Sequence, residues 1–157
     1  MNTSRELNDS TPDPSEYAPP ATQWVREQLE QIDAAGGDTA AVGIQGRPVM
    51  VLTMRGRKSG KLRRVPLMRV EHDGVYAAVA SKGGAPDHPD WYYNLLADDI
   101  VSLHDGTTHT STRARQIDGG ERERWWARCV EAFPTYAEYQ ANTERQIPVF
   151  LLEPVTT

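Results

Sequence analysis

The chain has a single cysteine, Cys129, among its 157 residues. An intramolecular disulfide is therefore excluded, and the composition is compatible with a reducing, cytoplasmic setting. Cys129 follows Trp125 and Trp126 at helical spacing, which reads as packed core. No apolar run approaches the roughly 20 residues that a transmembrane helix needs. The opening MNTSRELNDS is polar and acidic with no apolar stretch behind it, so no signal peptide is read. The four histidines, His72, His88, His104 and His109, lack the helical or paired spacing of a metal site, and no metal is expected. Positive charge is also scarce, with 17 Lys and Arg against 22 Asp and Glu and a net charge of −5. That balance argues against general nucleic-acid binding, which draws affinity from phosphate neutralisation over a basic face. Residues 1–38 carry eight acids against Arg5 and Arg26, a charge of −6, which leaves the remainder at +1.

Against this acidic background one basic stretch stands out, PVMVLTMRGRKSGKLRRVPL at 48–67. A β-rich run, Val49 to Met54, enters a loop that holds Arg55, Arg57, Lys58, Lys61, Arg63 and Arg64, and a second run from Val65 leaves it. Gly56 and Gly60 let the backbone turn with positive φ or approach a ligand closely. A cationic, glycine-containing turn between strands suits phosphate or carboxylate groups, because side chains and exposed N–H groups can point at one anion. The same residues also suit a solvated hairpin tip whose charge keeps a sheet edge soluble.

Residues 1–20, with four prolines and many acids, read as a flexible tail ahead of one domain at 21–157. Val25, Leu29 and Ile32 at i, i+4 and i+7 predict a helix over Ala21–Ala35, ended by Gly36-Gly37. Its stripe is narrow and Glu27, Glu30 and Asp33 would be repelled by an anionic bilayer, so packing on the domain is favoured over peripheral membrane contact. Short apolar runs then predict strands at 40–45, 49–54, 65–71, 75–81, 100–104, 108–117 and 147–152. A tight turn at His72-Asp73-Gly74 makes 64–81 a hairpin. Pro89 suits the first turn of a helix through Leu96. Further helices are read over Glu121–Ala132 and from Pro134 to about Arg145. This order predicts a mainly β, α+β protein: an antiparallel β-barrel with helices grouped on one side.

Three segments read together, GRKSGKLRRVPL (56–67), VASKGGAPDHPDWYYNL (79–95) and FPTYAEYQANTERQIPVFLLEP (133–154), resemble the deazaflavin-dependent nitroreductase and quinone reductase family. The resemblance covers about Pro48 to Pro154. It implies a split β-barrel, related to flavin-mononucleotide oxidases, and reduced coenzyme F-420, an 8-hydroxy-5-deazaflavin, as cofactor. It further implies Arg57, Lys58 and Ser59 at the cofactor's phosphate and acidic tail. Arg63 and Arg64, with the backbone of Val65, Pro66 and Leu67, would lie along the tail and ring. Val79, Ala80, Ser81 and Lys82 would line the ring and its linker, and Trp91, Tyr92 and Asn94 would complete the groove. Guanidinium and ammonium groups bind such an anionic tail well. Taken without the resemblance, Trp91 and Tyr92 read as ordinary core aromatics, whereas a buried Asn94 needs partners.

Tyr136 and Tyr139, at i and i+3, share a helix face. The residues alone read as packing; the resemblance implies a substrate wall, with Tyr136 the hydrogen-bond or proton donor and Tyr139 and Ser81 as companions. The sequence departs from the family pattern at Met68 and Phe133, where related pockets carry tyrosine. Two lost hydroxyls make the pocket more apolar, which favours a quinone-like acceptor over nitroimidazoles. The implied activity is hydride transfer from reduced F-420 to a hydrophobic electrophile such as a quinone or nitroaromatic. Three rivals stay open at this point: a flavin-mononucleotide reductase on the same barrel, a non-catalytic deazaflavin-binding protein, and an interaction module using the basic hairpin. Monomer and homodimer are equally compatible with the sequence.

Overall fold

The structure is a computed structural model that describes residues 23–44 and 46–155. The expected tail at 1–20, the first two residues of the expected opening helix and Gln45 lie outside the described residues.

Helix α1 (Gln23–Ala34) forms where the apolar stripe predicts it. Leu29 and Ile32 are buried against Val51, with Val25 and Val42 packed beside them. The Gly37 N–H returns to the Ile32 carbonyl at 2.9 Å while Gly36 takes φ +75°, the left-handed stop that a residue without Cβ makes cheaply. The expected strand at 40–45 shrinks to β1 (Gly43–Ile44), preceded by a single 3₁₀ turn at Thr39–Ala41. Local capping outcompetes extension there: the Asp38 side chain accepts from the Ala40 N–H at 2.9 Å. Thr39 is also tied to Gly106, its Oγ1 accepting at 2.7 Å.

Strands β2 (Arg47–Arg55) and β3 (Leu62–Met68) pair antiparallel from Val49↔Met68 to Arg55↔Leu62, so the basic loop at 56–61 is a hairpin tip. The expected 64–81 hairpin is a correction. Strand β3 spends its ladder on β2, and only β4 (Glu71–His72) pairs with β5 (Val75–Val79), over two residues across the Asp73-Gly74 turn. One strand's alternation shows which face is buried, not which neighbour it pairs with. Helix α2 (Asp90–Ala97) starts one residue later than expected, with Pro89 as its extended N-cap rather than inside the first turn. Strands β6 (Ile100–Asp105) and β7 (Thr108–Gln116) form the expected hairpin, α3 spans Gly119–Ala132, and α4 is Thr135–Ala141. Helix α4 stops four residues short of Arg145 because the Gln140 side chain captures the chain beyond it, donating to the Arg145 carbonyl at 2.8 Å and accepting from the Ile147 N–H at 3.0 Å. Strand β8 (Val149–Pro154) closes the sheet between β5 and β7.

The strands form one antiparallel sheet in the order β1-β2-β6-β7-β8-β5-β4, with β3 on β2. The sheet curls into a half-barrel. Inside lie Met50, Leu52, Met54, Ala78, Val101, Leu103, Phe150 and Leu152, plugged by Leu95 from α2. Outside, Ala77, Val79, Val149 and Leu151 pack with Trp125 and Cys129 of α3 and Tyr136 of α4. Adjacent residues of β5 and β8 thus feed opposite cores, so both strands read as unbroken apolar runs. Each valine, leucine, methionine or phenylalanine so buried contributes about 1.5–3 kcal/mol. Among the described residues no helix is long and apolar enough to cross a membrane.

Cys129 is fully enclosed in the outer core, and burial pushes its thiol up to about 12. The thiolate is the reactive form, so we expect Cys129 to resist a disulfide-exchange reagent at pH 8 in the native protein. It should then react at the rate of unfolding as urea is added, whereas fast native-state labelling would contradict this packing.

Candidate functional site

Two recesses lie side by side, and α2 lines both. The larger is a cleft of about 350 Å³, at the lower end of the range for small-molecule sites. Pro66, Leu67 and Met68 of β3 and Val79 of β5 supply apolar lining, and Phe133, Tyr136 and Tyr139 bring the aromatic wall. Ser81, Lys82 and Gly83 enter from the loop after β5, Pro89 and Trp91 from the start of α2, and Trp24 and Ile44 from the N-terminal elements. The smaller recess, about 120 Å³, lies among Gly56, Arg57, Lys58 and Arg63 of the hairpin tip and Asp90 and Asn94 of α2.

The smaller recess is organised by Asn94, which is only 2% exposed. Its Oδ1 accepts from the Arg57 backbone N–H at 3.1 Å and from the Arg57 guanidinium at 2.9 Å. Arg57 also donates to the Asp90 carbonyl at 3.2 Å and stacks over the Tyr93 ring at 5.2 Å. Asn94 thus acts as the anchor that aims the basic tip at α2. Inside the tip, the Gly60 N–H bonds the Gly56 carbonyl at 2.9 Å and the Lys61 N–H bonds Ser59 Oγ at 3.1 Å. A Cβ on Gly56 would sit 3.0 Å from Arg63 Nε.

Of the residues named from sequence, Pro66, Leu67, Met68, Val79, Ser81, Lys82, Trp91, Phe133, Tyr136 and Tyr139 converge on the cleft, and Arg57, Lys58, Arg63 and Asn94 on the recess. Five line neither. Arg64 forms a two-pronged pair with Asp33 of α1 at 2.9 and 3.1 Å. Ser59 braces the tip; Val65 packs into the inner core. Ala80 is fully buried, and Tyr92 packs against Phe150 and His88. Sequence reasoning missed Trp24, Ile44, Gly83 and Pro89 in the cleft and Asp90 in the recess. Trp24 is 50% exposed at the cleft edge, and a tryptophan on the polar side of an otherwise amphipathic helix is the signal that could have found it.

The loop after β5 has an unusual backbone. Ser81 is right-handed helical (φ −78°, ψ −38°), and Lys82, Gly83 and Gly84 follow at φ +47°, +64° and +83°. Such a right-to-left succession turns consecutive N–H groups toward one side, a concavity suited to negative charge. A Cβ at Gly84 would stand 2.9 Å from the Tyr139 carbonyl oxygen, so glycine lets the loop lie directly on α4. On the wall, Tyr136 is 4% exposed and burial raises its pKa well above the usual phenol range. Its hydroxyl therefore stays protonated at every physiological pH. Among the described residues no group of His, Cys, Asp or Glu could hold a metal.

The curled antiparallel sheet, with an apolar cleft and a cationic recess beside α2, defines the class as a split β-barrel. The chain belongs to the F420H(2)-dependent quinone reductase family, whose model matches residues 24–154. It is accordingly an oxidoreductase that uses reduced coenzyme F-420. A candidate F420H(2)-dependent quinone reductase of Mycobacterium tuberculosis is 36% identical over 107 residues, covering 68% of this chain and 90% of that protein. A solved structure of an F420-H2 dependent reductase, FDR-A, shares 54% identity with a TM-score of 0.65 and covers 71% of this chain and 99% of its own. Another, described as a domain-swapped dimer, shares 52% identity with a TM-score of 0.68 over 85% of this chain and 100% of its own.

Replacing Asn94 by Ala removes the buried acceptor of the part-buried Arg57 N–H, and losing a hydrogen bond to a part-buried group costs about 1 kcal/mol. We expect stability in urea to fall by that much and amide exchange across 57–60 to quicken. Unchanged exchange there would show that Asn94 does not hold the tip.

Proposed function

We propose that this chain reduces a hydrophobic, electrophilic acceptor, a quinone in preference to a nitroaromatic, and that one domain spanning 21–157 carries the activity. The observation that supports this reading best is the apolar cleft beside the cationic recess. Arg57, Lys58, Ser59 and Arg63 would hold the cofactor's phosphate and acidic tail, since ammonium and guanidinium groups make strong charge-assisted bonds to such oxygens. Arg64 and the backbone of Val65, Pro66 and Leu67 would run along the tail, and Val79, Ser81 and Lys82 with Trp91 would hold the ring, with Ala80 and Tyr92 packed behind them. Bound F-420 supplies a hydride at carbon 5 of its ring.

The protein's own contribution is orientation, dryness and hydrogen bonding. The Tyr136 hydroxyl, kept protonated by burial, donates to the oxygen of the acceptor as negative charge grows there. Tyr139 and Ser81 line the same cleft and offer further hydroxyls. Met68 and Phe133 contribute apolar wall where tyrosines would have suited polar substrates. Those two residues support the quinone preference. The lone buried thiol suits a cytoplasmic protein. The similar structure described as a domain-swapped dimer supports a homodimer as the alternative to a monomer, which light scattering resolves.

The test is acceptor kinetics with wild type and Tyr136→Phe. A soluble quinone should be reduced with a kcat/KM well above that for a nitroimidazole. Tyr136→Phe should lower kcat for the quinone about a hundred- to a thousandfold, the scale of a lost transition-state donor, with F-420 affinity kept. Binding of F-420 without reduction of any acceptor would make the protein a carrier and end the proposal.

A further inference from the structure

We propose that Arg145 is the positioning residue of the loop at 80–88: through the main chain it sets where the Ser81 hydroxyl stands in the cleft. The inference rests on the reading of that cleft as the acceptor site. Arg145 lies outside both recesses, yet its guanidinium reaches both flanks of the left-handed turn. Nε donates to the Ala85 carbonyl at 2.8 Å, one terminal nitrogen to the Ser81 carbonyl at 2.7 Å, and the other to the Ala80 carbonyl at 3.2 Å and His88 Nδ1 at 2.9 Å. A planar fork of five N–H donors can serve four acceptors at once; a lysine ammonium cannot hold that geometry.

The loop needs such a clamp. Lys82 occupies the left-handed region at φ +47°, a strained backbone for a residue with a Cβ that persists only when its surroundings impose it. Within the loop itself the ties are the Gly84 N–H to Ser81 carbonyl bond at 2.9 Å and the Ala85 N–H to Lys82 carbonyl bond at 3.1 Å. An exposed Lys82–Asp87 pair at 3.1 Å adds little to these. Arg145 is itself aimed by a polar relay. Gln140 of α4 donates to the Arg145 carbonyl and accepts from the Ile147 N–H, and Arg122 of α3 donates to the Ile147 carbonyl at 2.7 Å. The relay therefore runs from the two C-terminal helices to the cleft loop without touching the cleft.

His88 gives this arrangement a reporter. Its Nδ1 receives an N–H from Arg145, so the imidazole must be neutral for the clamp to close. Tyr92 packs on the ring at 4.2 Å and Tyr93 at 6.0 Å. Burial and the Arg145 charge hold its pKa below the usual histidine value, with Asp87 acting the other way. A histidine with a depressed folded value supports stability fully above its unfolded pKa, and that support is lost as pH falls through the folded one. The clamp is therefore closed at neutral pH and released by acid.

The experiment compares wild type with Arg145→Met, Arg145→Lys, Ser81→Ala and the Ser81→Ala/Arg145→Met double variant. In the cofactor-free protein, Arg145→Met should raise the His88 pKa seen by NMR and speed amide exchange at 82–85 at least tenfold beyond any change in the core strands. Arg145→Lys keeps a charge without the fork, so it should leave His88 depressed while the loop still exchanges fast. In turnover, Arg145→Met and Ser81→Ala should each cut kcat for the quinone, and the double variant should be no worse than the poorer single. Unchanged loop exchange and His88 titration, or fully additive kcat losses, would overturn the role. If wild type fails to bind F-420, the cleft reading falls, while the cofactor-free measurements still decide whether Arg145 holds the loop.

Discussion

Burial of β5 and β8 on both faces is the constraint from which the rest of the architecture follows. Val149 and Leu151 enter the core under α3 and α4, while Phe150 and Leu152 enter the core inside the curl. A flat sheet with helices on one side would leave the second set in water. Curling the sheet encloses it, and α2, through Leu95, plugs the open end. The cleft is then a by-product of closure. It lies where β5 runs out at Val79, where α2 must begin, and where α4 has to pass to bury Tyr136 beside Phe133.

That position also explains the division of chemistry. The wall nearest the outer core is apolar and aromatic because it continues that core. The far side is cationic because it is a hairpin tip, the part of β2–β3 free of packing demands. Asn94 ties the tip to α2. As a buried amide it needs partners, and it finds them in the Arg57 backbone and side chain. One helix thus reaches the larger cleft through Trp91 and the smaller recess through Asp90 and Asn94.

Much of this architecture is legible in the amino-acid sequence. The i, i+4, i+7 stripe of α1 and its Gly36 stop, the β2–β3 basic tip, the Tyr136/Tyr139 face and the buried Cys129 are all local patterns, and local patterns survive folding. Pairing and reach are not local, and there the sequence misleads. Alternation in Val65–Val70 does not show that β3 pairs with β2 rather than returning with 75–81. Helical propensity past Ala141 does not show that the Gln140 side chain claims the next backbone groups. Arg64 looks identical to Arg63 in the sequence, yet Asp33, 31 positions earlier, engages it. Arg145 looks like the end of a helix, and only the folded chain places Ala80, Ser81, Ala85 and His88 around it.

The proposed function requires that this cleft and its basic rim bind a deazaflavin. The most direct test is a fluorescence titration of the purified protein with oxidised coenzyme F-420, with flavin mononucleotide as control and Lys58→Ala and Arg64→Ala as variants. Saturable binding of F-420, micromolar or tighter, is expected, with little affinity for flavin mononucleotide. Lys58→Ala should bind at least tenfold more weakly, the scale of one charge-assisted bond of about 1.5–3 kcal/mol. Arg64→Ala should lose less, because Asp33 already engages that guanidinium. Binding of flavin mononucleotide with indifference to F-420 would contradict the assignment.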